Sequence, residues 1–131
     1  MKIKDLLFTL VLLMILIACS SPQERSYQRV GNEEFSTFID NPEVLLIDIR
    51  TDAETSKGII EGALLIDFFS PDFTSQIEQL DRNAPIAIYC ASGGRSAKAA
   101  SQLQSLNFKE IVELKVGFNG WKAAGYPVKE N

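Results

Sequence analysis

Ile86-Ala87-Ile88-Tyr89-Cys90-Ala91-Ser92-Gly93-Gly94-Arg95-Ser96 is the passage from which the architecture can be read. Four apolar residues in a row read as a strand covered on both faces, as strands of a parallel sheet are. A short glycine-bearing loop follows, and from Ser96 to Leu106 alanine and leucine recur at helical spacing. A strand, a tight loop and a helix make the unit from which parallel α/β sheets are assembled.

The same alternation extends in both directions. Val44-Leu45-Leu46-Ile47, Ala63-Leu64-Leu65-Ile66 and Ile111-Val112-Glu113-Leu114 read as further strands, and a short one is expected around Tyr27 to Val30. Between them, Asn32 is placed to cap a helix that carries Phe35, Phe38 and Ile39 on one face, with Pro42 just past its end. Helical patterns also run from Thr51 to Lys57 and from a Ser70-Pro71 start to Leu80. Phe68, Phe69 and Phe73 either pack a helix under the sheet or form a partner surface. The class is α/β with a mainly parallel sheet.

The composition bounds the function. With 131 residues, 46% of them hydrophobic, the chain has room for one core. Thirteen basic against seventeen acidic residues give a formal charge of −4, and no basic stripe offsets it, which argues against a nucleic-acid partner. There is no histidine, which removes Ser-His-Asp and Cys-His catalysis, histidine zinc sites and histidine pH switching.

At the N-terminus, Lys2 and Lys4 precede an apolar run from Leu6 to Ala18. At 1.5 Å per residue it reaches about 20 Å, short of the roughly 30 Å hydrocarbon core that a spanning helix crosses. Residues 1–18 therefore read as a signal peptide. Leu16-Ile17-Ala18-Cys19 resembles the bacterial lipobox, so Cys19 is the expected lipidation site and residues 19–26 a polar tether. The alternative is an ordinary secretory cut after Ser20. Lipidation implies a membrane anchor at the cell envelope with the domain on its periplasmic or extracytoplasmic face, and Ser20 after the cysteine favours an outer membrane where one exists. Cys90 then has no intramolecular disulfide partner.

Ligands of parallel sheets bind beyond the carboxyl ends of the strands. Cys90 closes one strand and Asp48 another, so both are expected at the same edge. The loop Ala91, Ser92, Gly93, Gly94, Arg95, Ser96 should cradle the sulfur with backbone N–H groups, while the helix start adds its positive dipole end. Both favour thiolate, and Arg95 supplies a permanent cation. Such a nucleophile needs no base. The plainer reading of Cys90 is a buried strand-end cysteine that only packs. Asp48 and Arg50 fit either a structural ion pair that fixes the turn or a direct contact with loop or substrate. Trp121 reads as a core or lid aromatic, and Lys98 and Lys109 as solvated charges. Neither Gly-x-x-x-x-Gly-Lys-Ser/Thr nor Gly-x-Gly-x-x-Gly occurs, which disfavours nucleotide binding.

Three passages together resemble one family. Leu46-Ile47-Asp48-Ile49-Arg50-Thr51 with Glu54 and Gly58 to Ala63, then Cys90 to Ser96, then Gly117-Phe118-Asn119-Gly120-Trp121 through Gly125-Tyr126-Pro127-Val128, are similar to the ordered signatures of rhodanese-like domains. The resemblance covers residues 27–128. It implies a five-stranded parallel sheet flanked by helices on both faces. It also implies a sulfurtransferase whose Cys90 takes sulfane sulfur as a persulfide and passes it to a thiol or cyanide, with Arg95 and the loop N–H groups holding the anion and Asp48 and Arg50 in support. No cofactor or metal is implied. The rival is a non-catalytic binding or sulfur-carrier module, for which a protein partner is conceivable. A phosphatase or arsenate reductase is disfavoured, because Cys90 to Arg95 is Cys-x4-Arg and those relatives carry one residue more.

The chain departs from the family at Thr55, Ile59, Glu61, Ala91 and Val116. Ala91 stands where a basic residue is frequent. That leaves Arg95 as the loop's cation and predicts weak use of thiosulfate beside polysulfide or persulfide donors.

Overall fold

The computed structural model describes residues 2–4 and 26–130. In it the apolar runs become strands β1 (Ser26–Val30), β2 (Leu45–Asp48), β3 (Leu64–Leu65), β4 (Ile86–Tyr89) and β5 (Glu110–Leu114). They pair in the order β1-β5-β4-β2-β3, with every neighbour parallel. Helices α1 (Asn32–Ile39), α2 (Asp52–Thr55), α3 (Phe73–Glu78), α4 (Gly94–Ser105) and α5 (Gly117–Ala123) fill the connections. The apolar run Leu6 to Ala18, Cys19 and the tether up to residue 25 lie outside the described residues.

The continuous apolar reading of the central strands has a direct cause, since a strand's side chains alternate between faces and here both faces are covered. Ile86 and Ile88 of β4 join Phe73 and Ile77 of α3 and Ala99 and Leu103 of α4 on one side. Ala87 and Tyr89 join Phe35 of α1 with Phe118 and Trp121 of α5 on the other. Trp121 is a core residue: it is buried, meets the Phe35 ring edge-on at 6.0 Å, and donates its indole N–H to the Pro127 carbonyl at 2.8 Å.

Several boundaries differ from those expected. Gly31, not Asn32, is the N-cap of α1; Asn32 is the first helical residue and turns its Nδ2 to the Gly120 carbonyl at 3.3 Å. The run Ala63 to Ile66 pairs only over Leu64–Leu65, whose side chains are exposed because β3 is an edge strand. Ser70 does not open a helix but a turn, its hydroxyl accepting the Asp72 N–H at 3.2 Å, and α3 begins at Phe73. At the other end, α4 starts at Gly94, two residues before the expected Ser96, because the loop itself winds into the first helical turn. The helix α5 was not anticipated by periodicity, since its seven residues include Gly117 and Gly120.

Candidate active site

Three loops, after β2, β4 and β5, meet at the carboxyl edge of the sheet, and the loop of the central strand carries Cys90. Its tight return depends on Gly93, whose φ of +95° is in the left-handed region and whose position leaves no room for a Cβ against the Lys115 carbonyl. The first turn of α5 then presses on the loop: a Cβ at Gly117, φ +63°, would overlap the Ala91 backbone. In that close approach the Phe118 N–H donates to the Cys90 carbonyl at 2.8 Å and the Asn119 N–H to the Ala91 carbonyl at 3.0 Å. The loop is thus fixed by the connection that leaves β5.

Within it, Cys90 is 1% exposed. The Gly93 N–H donates to Sγ at 3.1 Å, and Ser96 Oγ lies 3.4 Å from the sulfur. Burial pushes the thiol up, but the Ser96 side chain beside the sulfur and the backbone N–H groups of Ser96, Ser92 and Gly93 outweigh it, so the net direction is down. The Ser96 hydroxyl has one proton and two claimants. The Glu113 carboxylate accepts it at 2.6 Å, a shorter and charge-assisted bond, so toward the thiol Ser96 presents a lone pair. The N–H groups of the loop are therefore the donors that hold a sulfur anion.

Arg95 is not a free cation. Its guanidinium forks onto Glu54, at 2.9 Å from Oε2 and 2.8 Å from Oε1, and lies 5.5 Å from the centre of the Phe69 ring. Hydrogen bonds from Arg95, with those of Thr51, push the Glu54 carboxyl down to about 2 in spite of its partial burial. Glu54 also closes a capping box with Thr51 at the head of α2. The expected loop cation thus shares its charge with a carboxylate that the sequence reading assigned only to a signature. Of the remaining loop residues, Ala91 is half-buried, and Ser92 and Gly94 are exposed.

Asp48 and Arg50 form a buried pair. Arg50 Nη2 lies 2.7 Å from Asp48 Oδ2 and donates also to the Gly58 carbonyl at 2.8 Å, while the Arg50 N–H donates to Asp48 Oδ1 at 3.0 Å. The guanidinium sits 3.8 Å from the centre of the Phe118 ring. Since Phe118 is bonded to the Cys90 carbonyl, the pair holds up the loop from beneath. Burial, with Asp48 close by, pushes the Tyr89 phenol above its ordinary range, and its hydroxyl accepts the Ile60 N–H at 3.0 Å.

The sequence reading missed the group behind Ser96. Glu113 is fully buried in β5 and is held by Arg29 Nε at 2.5 Å and the Tyr27 hydroxyl at 3.1 Å; burial and the Glu113 charge push that phenol up to about 12. Arg29 Nη2 reaches on to the Gly93 carbonyl at 3.3 Å. A carboxylate inside an otherwise apolar strand was the available signal, since a buried charge requires a partner. A cavity of about 280 Å³ opens beside Ala91, bordered by Arg50, Glu54, Lys57, Phe118 and Lys122. A larger hollow of about 440 Å³, between Ile39, Ile60, Trp121 and Val128, contains no loop residue.

Comparison with known proteins agrees with this geometry. The pattern of the Rhodanese-like domain family matches residues 31–124. A protein named sulfurtransferase from Allochromatium vinosum is 32% identical over 89 residues, covering 68% of this chain and 81% of that one. A tRNA uridine(34) hydroxylase from Nitrobacter hamburgensis is 39% identical over 92 residues, but the match spans only 36% of that protein. Among solved structures, a rhodanese-related protein from Thermoplasma volcanium superposes with a TM-score of 0.71 at 27% identity, covering 80% of this chain and 100% of that chain. A Staphylococcus saprophyticus protein gives 0.66 at 28% identity, over 79% and 99%.

Proposed function

The chain belongs to the rhodanese-like domain family, and on that premise we propose that it is a sulfurtransferase that carries sulfane sulfur as a persulfide on Cys90. The observation that carries the reading is the setting of Cys90 Sγ at the head of α4, with the Gly93 N–H 3.1 Å away and the loop closed by Arg95 after Cys-x4-Arg.

In the first step the Cys90 thiolate attacks the sulfane sulfur of a donor. A new S–S bond forms to Sγ, and the donor's own bond to that sulfur breaks, its electron pair leaving as sulfite from thiosulfate or as a thiolate from a persulfide. The terminal sulfur carries the negative charge and takes the loop N–H bonds in place of Sγ. In the second step a thiolate or cyanide attacks that terminal sulfur, and Sγ departs with the bonding pair as thiolate. Electrons balance within the cycle, and the loop stabilises both anions. The short loop suits one sulfur better than a tetrahedral phosphate, which supports sulfur transfer over phosphoryl or arsenate chemistry.

The N-terminal sequence supports an exported protein tethered by acylated Cys19, with the domain facing the periplasm or the outer side of the cytoplasmic membrane. Steady-state transfer from thiosulfate or polysulfide to cyanide or a thiol tests the activity. Wild type should turn over, Cys90→Ser should not, and aryl phosphates should stay at background with both. A wild type that transfers no sulfur from any of these donors, yet whose Cys90 is alkylated, is a binding module and not a transferase.

A further inference from the structure

The cavity beside Ala91 carries charge that the loop lacks. Two of its bordering ions are already matched, Arg50 by Asp48 and Glu54 by Arg95. Its other two ions, Lys57 and Lys122, make no ion pair among the described residues, so the mouth of the cavity presents an uncompensated positive pair. Arg50 adds a second feature. It is 4% exposed, its Nε and Nη2 are used on Asp48 and Gly58, and its Nη1 has no hydrogen-bond partner among the described residues. A guanidinium nitrogen with unused N–H groups, on a residue that borders a cavity, is a place for an acceptor atom.

We propose that Lys57 and Lys122, over Arg50, form an anion subsite next to the Cys90 loop, which takes the sulfonate or carboxylate end of the sulfur donor. The volume, about 280 Å³, suits a small anion or the end group of a longer donor. Lys57 comes from the turn after α2 and Lys122 from α5, so the two cations approach the wall formed by Ala91 from two connections. They replace the cation that position 91 does not supply. On this proposal donors with an oxyanion group are favoured over neutral ones, against the weak thiosulfate use expected from Ala91 alone. The identity of the ligand as a sulfur donor rests on the sulfur-transfer reading; the anion preference does not.

Alkylation of Cys90 separates the two. Iodoacetate and iodoacetamide deliver the same carbon to the sulfur and differ in one negative charge, and neither requires sulfur transfer. At low salt, the ratio of iodoacetate to iodoacetamide rate constants should fall about 3- to 10-fold in the double variant Lys57→Gln/Lys122→Gln, with the iodoacetamide rate within about twofold of wild type. Lys109→Gln, which changes net charge in the segment leading into β5, should leave the ratio unchanged. Raising the salt should bring wild type toward the double variant. KM for thiosulfate should rise by a similar factor with kcat held. An unchanged alkylation ratio overturns the subsite, whatever the sulfur-transfer result. A ratio that falls in a protein unable to take up sulfur upholds the subsite and rejects the transferase reading instead.

Discussion

Arg29 and Glu113 stand opposite one another in the β1–β5 register, and the carboxylate that holds Arg29 also accepts a hydrogen bond from the Ser96 hydroxyl, so the edge strand is linked to the sulfur through three side chains. The two partners are unequally placed: Glu113 is fully buried, while the Arg29 side chain is 47% exposed. Arg29→Gln leaves a carboxylate inside the sheet with only hydroxyl partners and should cost about 3 kcal/mol. Glu113→Gln leaves a guanidinium that water can reach and should cost about 1 kcal/mol. Urea unfolding of both variants checks the order, and equal costs would contradict the burial argument.

Gly93 is the loop position with the least tolerance. Gly93→Ala meets both a left-handed φ and the Lys115 carbonyl, so the loop must shift, at about 1–3 kcal/mol. The N–H that it gives to Sγ moves with it. In wild type, the pH midpoint of Cys90 alkylation should lie below the ordinary thiol value of about 8.5. In Gly93→Ala the midpoint should move upward. A midpoint unchanged by the substitution would remove the loop N–H groups as the cause.

The Glu54–Arg95 pair predicts a pH dependence of stability. Glu54's carboxyl is lowered in the folded protein from 4.5 to about 2 by Arg95, so the folded form binds fewer protons than the unfolded one between those values. Its stabilisation is complete above about 4.5 and is lost as the pH falls toward 2. The Glu54 side chain is 34% exposed, which screens the pair to about 0.5–1 kcal/mol. Wild type should exceed Glu54→Gln by that margin at pH 6, as measured by urea unfolding, and the margin should close with acid. A margin that persists at pH 2 would contradict the pairing.

Arg50→Met isolates the buried pair beneath the loop. It leaves Asp48 fully buried without its cation and should cost about 3–5 kcal/mol. The double substitution Asp48→Leu/Arg50→Met removes both charges and should recover much of that loss. Recovery measured by thermal unfolding distinguishes an ion pair kept for the loop from one that supplies the fold's stability.

For the anchor, Cys19→Ser should release the protein from membranes or block its maturation. Fractionation of the native protein as soluble, with an unmodified N-terminus at Ser21, would reject lipidation at Cys19.

What was legible in the sequence was what is local in the chain. Ile86 to Ser96 announces a strand, a loop and a helix because each part lies within eleven residues, and Asp48 with Arg50 announces a pair because only Ile49 separates them. Strand order is not written locally. Nothing in the passage Tyr27 to Val30 states that β1 lies beside β5, and without that neighbourhood Arg29 and Glu113, 84 residues apart, cannot be joined. The Arg95–Glu54 fork, across 41 residues, was hidden for the same reason, and so was the convergence of Lys57 and Lys122 on one cavity. Propensity failed where tertiary contact overrides it: α5 forms around two glycines because Phe118 and Trp121 are buried and its first turn is bonded to the Cys90 loop.

The central claim is that Cys90 holds a sulfane sulfur. Intact mass of the purified protein, taken after exposure to thiosulfate or polysulfide and again after addition of cyanide, reads this directly. The account predicts a gain of one sulfur atom in wild type, located on the peptide that carries Cys90, lost on adding cyanide and absent from Cys90→Ser. A wild-type protein that gains no sulfur from either donor, or gains it equally in Cys90→Ser, would contradict it.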